Sequence, residues 1–283
     1  MRNNQDRLGA QPGGETPPVS QPTQQTEQPL QFVTPTEFVE LPSKGAFYPQ
    51  GHPLHNVDTI EIRHMTAKDE DILTSRALLQ KGIAIDRFLQ NVIVDQKVKV
   101  ADLLVGDKNA IIIASRITGY GAKYEATVGC PSCQRNVAFS FDLEQCEAIP
   151  YDIFKELGVQ KTQNNTFLIH LDKLDMDVEV RLLTSKDEAY LLQLSEKRRK
   201  NKLPEANLTE QLRRIIVSVN GQTDSAYINS FIEHAPAIDS RKLRTTYQKM
   251  VPNIDMRQNF VCPECAHEGE VSVPFGANFF WPQ

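Results

Sequence analysis

Residues 60–73 read IEIRHMTAKDEDIL, and residues 178–191 read VEVRLLTSKDEAYL. At a constant offset of 118, eleven of the aligned pairs are identical or similar in type. In each copy an alternating apolar run leads into Thr-x-Lys-Asp-Glu. Alternation of this kind marks a strand. The threonine, Thr66 or Thr184, suits the N-cap of a following helix. The acid three positions on, Asp69 or Asp187, resembles the second member of a capping box, with Asp where Glu is usual. A strand followed by a capped helix is therefore expected twice.

The match continues in chain order. Leu89, Val92 and Ile93 correspond to Leu212, Ile215 and Ile216. Asp107, expected as a helix cap, precedes Asp239 by 132 positions. The growth of the offset implies insertions after Glu70, and the charged loop SEKRRKNKLPEAN at 195–207 accommodates one. Ile85, Phe88, Leu89, Val92 and Ile93 form an apolar face. Ile111, Ile112, Ile113 and Ile117 belong to a buried helix that Asp107 introduces. His64 aligns with Leu182, which favours a packing position over a ligand. Leu191, Leu192 and Leu194 precede Lys197, Arg198, Arg199 and Lys200, a run expected as a solvated helix end, with an acidic partner as the alternative.

The same offset of 132 relates Cys130 to Cys262. The first lies in TVGCPSCQRNVAFSFDL (127–143), the second in NFVCPECAHEGEVSVPF (259–275). Each copy has an extended lead-in, a CPxC turn, three polar or small residues and an alternating strand: Phe139, Phe141 and Leu143 in one, Val271, Val273 and Phe275 in the other. This is the form of two zinc knuckles. In such a turn both thiolates face one ion while backbone amides polarise the sulfurs. Cys130, Cys133, Cys262 and Cys265 together supply the four ligands of a tetrahedral Zn2+ site, and with every position filled the ion is structural. Independent dithiol chemistry fits poorly, because a redox CxxC opens a helix after a strand and both turns here have β-like surroundings. An iron–sulfur cluster is the other four-cysteine option. His267 is expected as a surface residue or a donor behind the ligands, and Cys146 as a partly buried thiol.

These readings combine into an α+β fold of two internally duplicated halves, each a strand, helices and a zinc hairpin, joined by a four-cysteine zinc-ribbon-like site. The expected boundaries are a disordered tail (1–31), a docking arm (32–56), a first half with its knuckle (57–144), a linker (145–174) and a second half with its knuckle (175–283). The tail is rich in Gln, Pro, Gly and Thr, with Leu8 and Val19 its only large aliphatic residues before Leu30. Such a composition buries too little surface to offset the entropy of ordering. In the arm, VELPSKGAFYPQG (39–51), Pro42 stiffens the chain, Gly45 permits a tight turn, and Phe47 and Tyr48 are aromatic anchors. They pack on the first half or dock another subunit.

Composition and motifs exclude several functions. A net charge of -5, from 31 basic and 36 acidic residues, argues against nucleic acid as the main ligand. No apolar run is long enough to span a membrane and no apolar h-region follows Met1, so the cytoplasm is the default expectation. P-loop, GxGxxG, HExxH and GxSxG motifs are absent, and no histidine pairs with a nucleophile. No small-molecule substrate is evident, and the chain is expected not to be an enzyme. Asp172, Asp175 and Asp177 are close together, but that spacing is common in loops leading into exposed strands.

The LPSKGAFYP arm, the TAKDE and TSKDE segments and the two CPxC pairs together resemble the T4-type phage baseplate family, the baseplate hub and hub-assembly proteins of contractile-tailed phages. The resemblance runs from about Glu37 to Phe275. It implies a non-enzymatic component or assembly factor of the tail hub that binds other phage baseplate or tail proteins, in the virion tail baseplate or in the host cytoplasm during assembly. A zinc-ribbon adaptor that contacts nucleic acid is the rival reading. It wants a basic, aromatic-bearing face at the knuckles. Only Arg135 and His267 lie there, against Glu264, Glu268 and Glu270.

Overall fold

The protein is described as a computed structural model, which covers residues 33–204, 206–274 and 277–280. The expected tail at 1–31 and the alternating position Phe275 lie outside these residues. Thr34–Gln283 forms one unit, distinct from Met1–Val33.

Both capped stretches fold as strand and helix. Strand β1 (Thr36–Glu40) pairs antiparallel with β2 (Thr59–Arg63), placing Val39 opposite Ile60. Alternation turns Val39, Ile60 and Ile62 into the core and leaves Phe38 exposed. Helix α1 (Ala67–Thr74) follows the Thr66 cap, and then come α2 (Arg76–Gln80) and α3 (Ala84–Val92). Beyond α3, Ile93 bridges back to Ile62 on β2. Helix α4 (Val105–Tyr120) carries the buried Ile111, Ile112 and Ile113 and leads into the hairpin of β3 (Lys123–Gly129) and β4 (Asn136–Asp142).

The C-terminal part begins with β5 (Gln160–Lys161), β6 (Phe167–Leu171) and β7 (Met176–Val180), so two strands lie in the stretch expected as a linker. After the Thr184 cap come α5 (Ser185–Lys200), α6 (Asn207–Ile215) and β8 (Ile216–Val219), which completes an antiparallel sheet in the order β5-β6-β7-β8. Helices α7 (Ser225–His234) and α8 (Ala237–Met250) precede the hairpin of β9 (Arg257–Val261) and β10 (Glu268–Ser272). The chain is thus a mixture of helix and strand.

The two capping acids do more than cap. At Asp69, Oδ2 accepts from the Thr66 N–H and Oγ1 at 2.9 and 2.8 Å, while Arg63 donates to both carboxylate oxygens at 2.7 and 2.8 Å. Asp187 takes the same four bonds from Thr184 and Arg181, at 2.8 to 3.1 Å. Asn91 adds a bond to Asp69, and Arg214 approaches Asp187 from the corresponding place on α6. Leu89, Val92 and Ile93, like Leu212, Ile215 and Ile216, are all buried.

Asp107 is not a cap. The N-cap of α4 is Leu104, and Asp107 lies inside the first turn, fully buried. Its carboxylate receives the Ser43 N–H (2.9 Å), the Ser43 hydroxyl (2.6 Å) and the Tyr48 hydroxyl (2.8 Å) from the loop between β1 and β2. Asp239, in the first turn of α8, accepts from the Lys173 and Leu174 N–H groups in the loop between β6 and β7. These bonds satisfy backbone donors that have no strand partner. The aromatic residues of the arm are buried within this chain, Phe47 against Phe154 and Phe167 with ring centroids 6.3 and 5.4 Å away. Gly45 has φ 68°, and a side chain there would meet Leu54 O at 2.4 Å.

Elements before and after the middle of the chain interlock. Leu104 bridges Thr184, the Ser185 N–H donates to Leu103 O at 2.8 Å, and Lys108 lies between Asp86 and Glu188 at 2.8 and 3.2 Å. Gly106 lies so close to Pro252 that an added Cβ would sit 1.9 Å from its carbonyl oxygen.

Candidate metal centre

The two CPxC turns have the same backbone. In the first, the Cys130 N–H donates to Arg135 O and the Gln134 N–H to Cys130 O, each at 2.9 Å. In the second, the Cys262 N–H donates to His267 O and the Ala266 N–H to Cys262 O, again at 2.9 Å. Gln134 and Ala266 take equivalent left-handed positions, with φ 58° and 54°. Each turn closes an antiparallel hairpin, which fixes where its sulfurs point.

The hairpins meet through their side chains. Gln258 on β9 accepts from the Asp142 N–H at 3.0 Å and donates to the Asp142 carbonyl at 2.6 Å. Phe139 packs edge-on against Phe260, with centroids 5.4 Å apart. Arg135 and Glu264 form an ion pair across the two turns. Both are largely exposed, so this pair contributes little to stability.

All four sulfurs converge. Cys130 Sγ lies 3.8 Å from Cys265 Sγ, Cys133 Sγ lies 3.9 Å from Cys262 Sγ, and all four are within 4.8 Å of one another. A disulfide needs about 2 Å, so no bond links these atoms. Thiolates about 2.3 Å from a central zinc stand about 3.8 Å apart along the edges of a tetrahedron. The four sulfurs therefore fit a tetrahedral metal site. Cys130 and Cys262 are buried, Cys133 is half-buried and Cys265 exposed.

The electrostatics agree with a cation at this point. The Cys133 backbone N–H bonds the Cys130 sulfur and, with other donors, outweighs burial to hold that thiol at about 6. At Cys265 the His267 backbone N–H pulls the thiol down, but burial and the three other sulfurs push it up to about 11. The neighbouring sulfurs oppose ionisation of Cys265, and a divalent cation bound among them removes that conflict.

The other sequence candidates lie elsewhere. His267 supplies backbone groups to the second turn, and its ring lies over Gly269. Cys146 is half-buried beside Gln258, whose amide is 3.7 Å from its sulfur. Asp177 and Asp175 face His170 at 2.9 and 3.7 Å, and Asp172 pairs with Lys242 at 2.6 Å. Among the described residues, the four cysteines are the one group of this kind that could hold a metal. Sequence reasoning missed a cleft between α5 and α6, although its leucines were visible as a cluster before the basic run.

No helix among the described residues is long and apolar enough to cross a membrane. No curated protein and no solved structure matches the chain. The family described as T4 bacteriophage base plate protein matches residues 34–281, from β1 through both CPxC hairpins, and the chain belongs to that family.

Proposed function

We propose that this chain is a structural component or assembly factor of the baseplate hub of a contractile phage tail, and that Cys130, Cys133, Cys262 and Cys265 hold one structural Zn2+. Family membership gives the baseplate role and other tail proteins as partners. The observation that carries the metal reading is the convergence of four sulfurs from two hairpins within 4.8 Å of one another, two of the pairs at 3.8 and 3.9 Å. Zinc bound there closes its own coordination and serves as a clasp. The chain's residues do the rest: the two turns aim the sulfurs, and Gln258 and Phe139 hold the hairpins together.

The same reading treats the chain as a duplication, β1 to β4 matching β6 to β10. Three equivalences support it: Arg63–Asp69 with Arg181–Asp187, Asp107 with Asp239, and the two CPxC turns. Under this pairing the arm at 32–56 and the end of the 145–174 linker are counterparts, each supplying the first strand of a hairpin. The second copy's extra length then lies in the C-terminal half of α5 and in α7. The exposed Phe38, 70% accessible, leaves β1 able to meet another tail subunit. A nucleic-acid adaptor is disfavoured at the knuckles, where Arg135 pairs with Glu264 and Arg257 with Asp255.

Mass spectrometry of purified virions, beside pull-downs from infected lysate, tests the role. Detection in virions marks a component, and detection only in tail assembly complexes marks a factor. Absence from both contradicts the proposal.

A further inference from the structure

Residues of α5 and α6 line a cleft of about 310 Å3. Val105, Leu183, Leu191 and Leu194 give it apolar wall, and Glu188, Arg198 and Glu210 are its charged lining residues. Leu192, also on the lining, is 61% exposed, and Leu203 and Leu208 in the connection and first turn of α6 are 51% and 54% exposed. A surface helix normally turns such residues inward. Here Leu192 faces water on the lining of the cleft, and Leu203 and Leu208, close by in sequence, are exposed too, as in a surface that another chain covers.

Charge indicates the kind of chain. The Arg198 Nε is buried with no hydrogen-bond partner among the described residues. That nitrogen is out of reach of an incoming chain, so the accessible charge lies elsewhere in the last turn of α5. Arg199, exposed and four positions after Ser195, continues the lining face of the helix, with Lys197 and Lys200 in the same last turn. The acids lining the cleft are already engaged: Glu188 lies 3.2 Å from Lys108 and Glu210 lies 2.8 Å from Arg213. The groove thus combines a largely apolar lining with an exposed cation, Arg199, at the end of α5.

We propose that the α5–α6 groove docks an acidic amphipathic helix of a neighbouring tail protein. Its leucine-like side chains would enter the cleft, and a carboxylate would accept from Arg199. This is helix-in-groove recognition with charge setting the orientation. The inference rests on the baseplate reading for the identity of the partner as a tail protein, but the groove's chemical preference does not depend on it.

Two fluorescein-labelled helical peptides with one leucine pattern, one with Glu and one with Lys on the polar face, provide the test against the full chain. The Glu peptide is expected to bind with a Kd of about 10 μM, at least about tenfold tighter than the Lys peptide, and to weaken with added salt. Arg199→Glu and Leu192→Glu should each reduce binding of the Glu peptide about tenfold. Both residues lie at the surface, so melting temperatures should stay unchanged and show that the variants fold. Equal binding of the two peptides, or binding indifferent to both substitutions, overturns the proposal. So does a concentration-dependent dimer abolished by Leu192→Glu, which would assign the groove to a second copy. A chain absent from virions and assembly complexes that still shows the Glu preference would contradict only the baseplate reading. Groove variants incorporated into tails at the normal level, with no peptide preference, would contradict only the groove.

Discussion

The sulfur atoms of Cys130 and Cys265 lie 3.8 Å apart, although 135 positions separate the two residues. No backbone ladder brings them together, because β3–β4 and β9–β10 are separate two-stranded sheets. Beside the sulfurs and the Phe139–Phe260 packing, the junction includes Gln258, whose amide satisfies both backbone groups of Asp142. Gln258→Ala should therefore cost about 2 kcal/mol, since it leaves a largely buried N–H and carbonyl unpaired. Urea unfolding at neutral pH measures this, and a loss within error of zero would show that water replaces the amide freely.

The capping acids predict a pH dependence. Burial opposes ionisation of Asp69, but Arg63, Thr66 and Asn91 outweigh it and hold the carboxyl at about 2; Asp187, with Arg181 and Thr184, is also held at about 2. The folded-state value is below the unfolded one, about 3.9. The stabilisation is therefore complete above about pH 4 and is lost as the pH falls toward 2. Asp69→Asn should lose about 2 kcal/mol at pH 7, and its deficit relative to the parent should shrink between pH 4 and 2. Urea titrations across that range would reveal a pH-independent deficit if the pairing were unimportant.

Tyr48 predicts how firmly the arm is held. Its hydroxyl donates to Asp107 at 2.8 Å and accepts from the Leu104 N–H at 3.1 Å. Tyr48→Phe keeps the ring but removes both bonds, one of them to a buried carboxylate whose pKa burial already raises. A loss of about 2 kcal/mol is expected, with faster proteolysis within residues 41–58. Unchanged cleavage there would contradict the anchoring role.

Gly106 predicts the tightness of the contact between α4 and the segment after α8. A methyl group added there meets Pro252 O at 1.9 Å, a backbone atom that cannot swing aside. Gly106→Ala should destabilise the chain by about 3 kcal/mol, although alanine is the better helix former. A neutral or stabilising effect in thermal unfolding would mean that this contact is looser.

The parts of this fold that were legible in the sequence are those written in local chemistry. Thr66 with Asp69, Thr184 with Asp187, and each CPxC turn place their partners within a few residues, so spacing alone reveals them. Asp107 shows the limit. It stands near a helix start and reads as a cap, yet its partners Ser43 and Tyr48 are 64 and 59 positions away and no local pattern announces them. Strand β6 was available as the alternation of Phe167, Ile169 and Leu171, all buried, but its setting among polar turns resembles a linker. The convergence of four sulfurs could be inferred from the common offset of the two turns; the bonds that bring the hairpins together could not. The groove was half legible: Leu191, Leu192 and Leu194 were conspicuous, but only the position of α6 shows that they line a cleft.

Zinc K-edge X-ray absorption on the purified full chain, paired with elemental analysis, tests the clasp most directly. The account predicts one zinc per chain with four sulfur neighbours at about 2.3 Å, lost in Cys262→Ser and retained in Cys146→Ser. A folded chain without zinc, a coordination shell of nitrogen and oxygen, or full zinc occupancy in a soluble Cys262→Ser protein would contradict it.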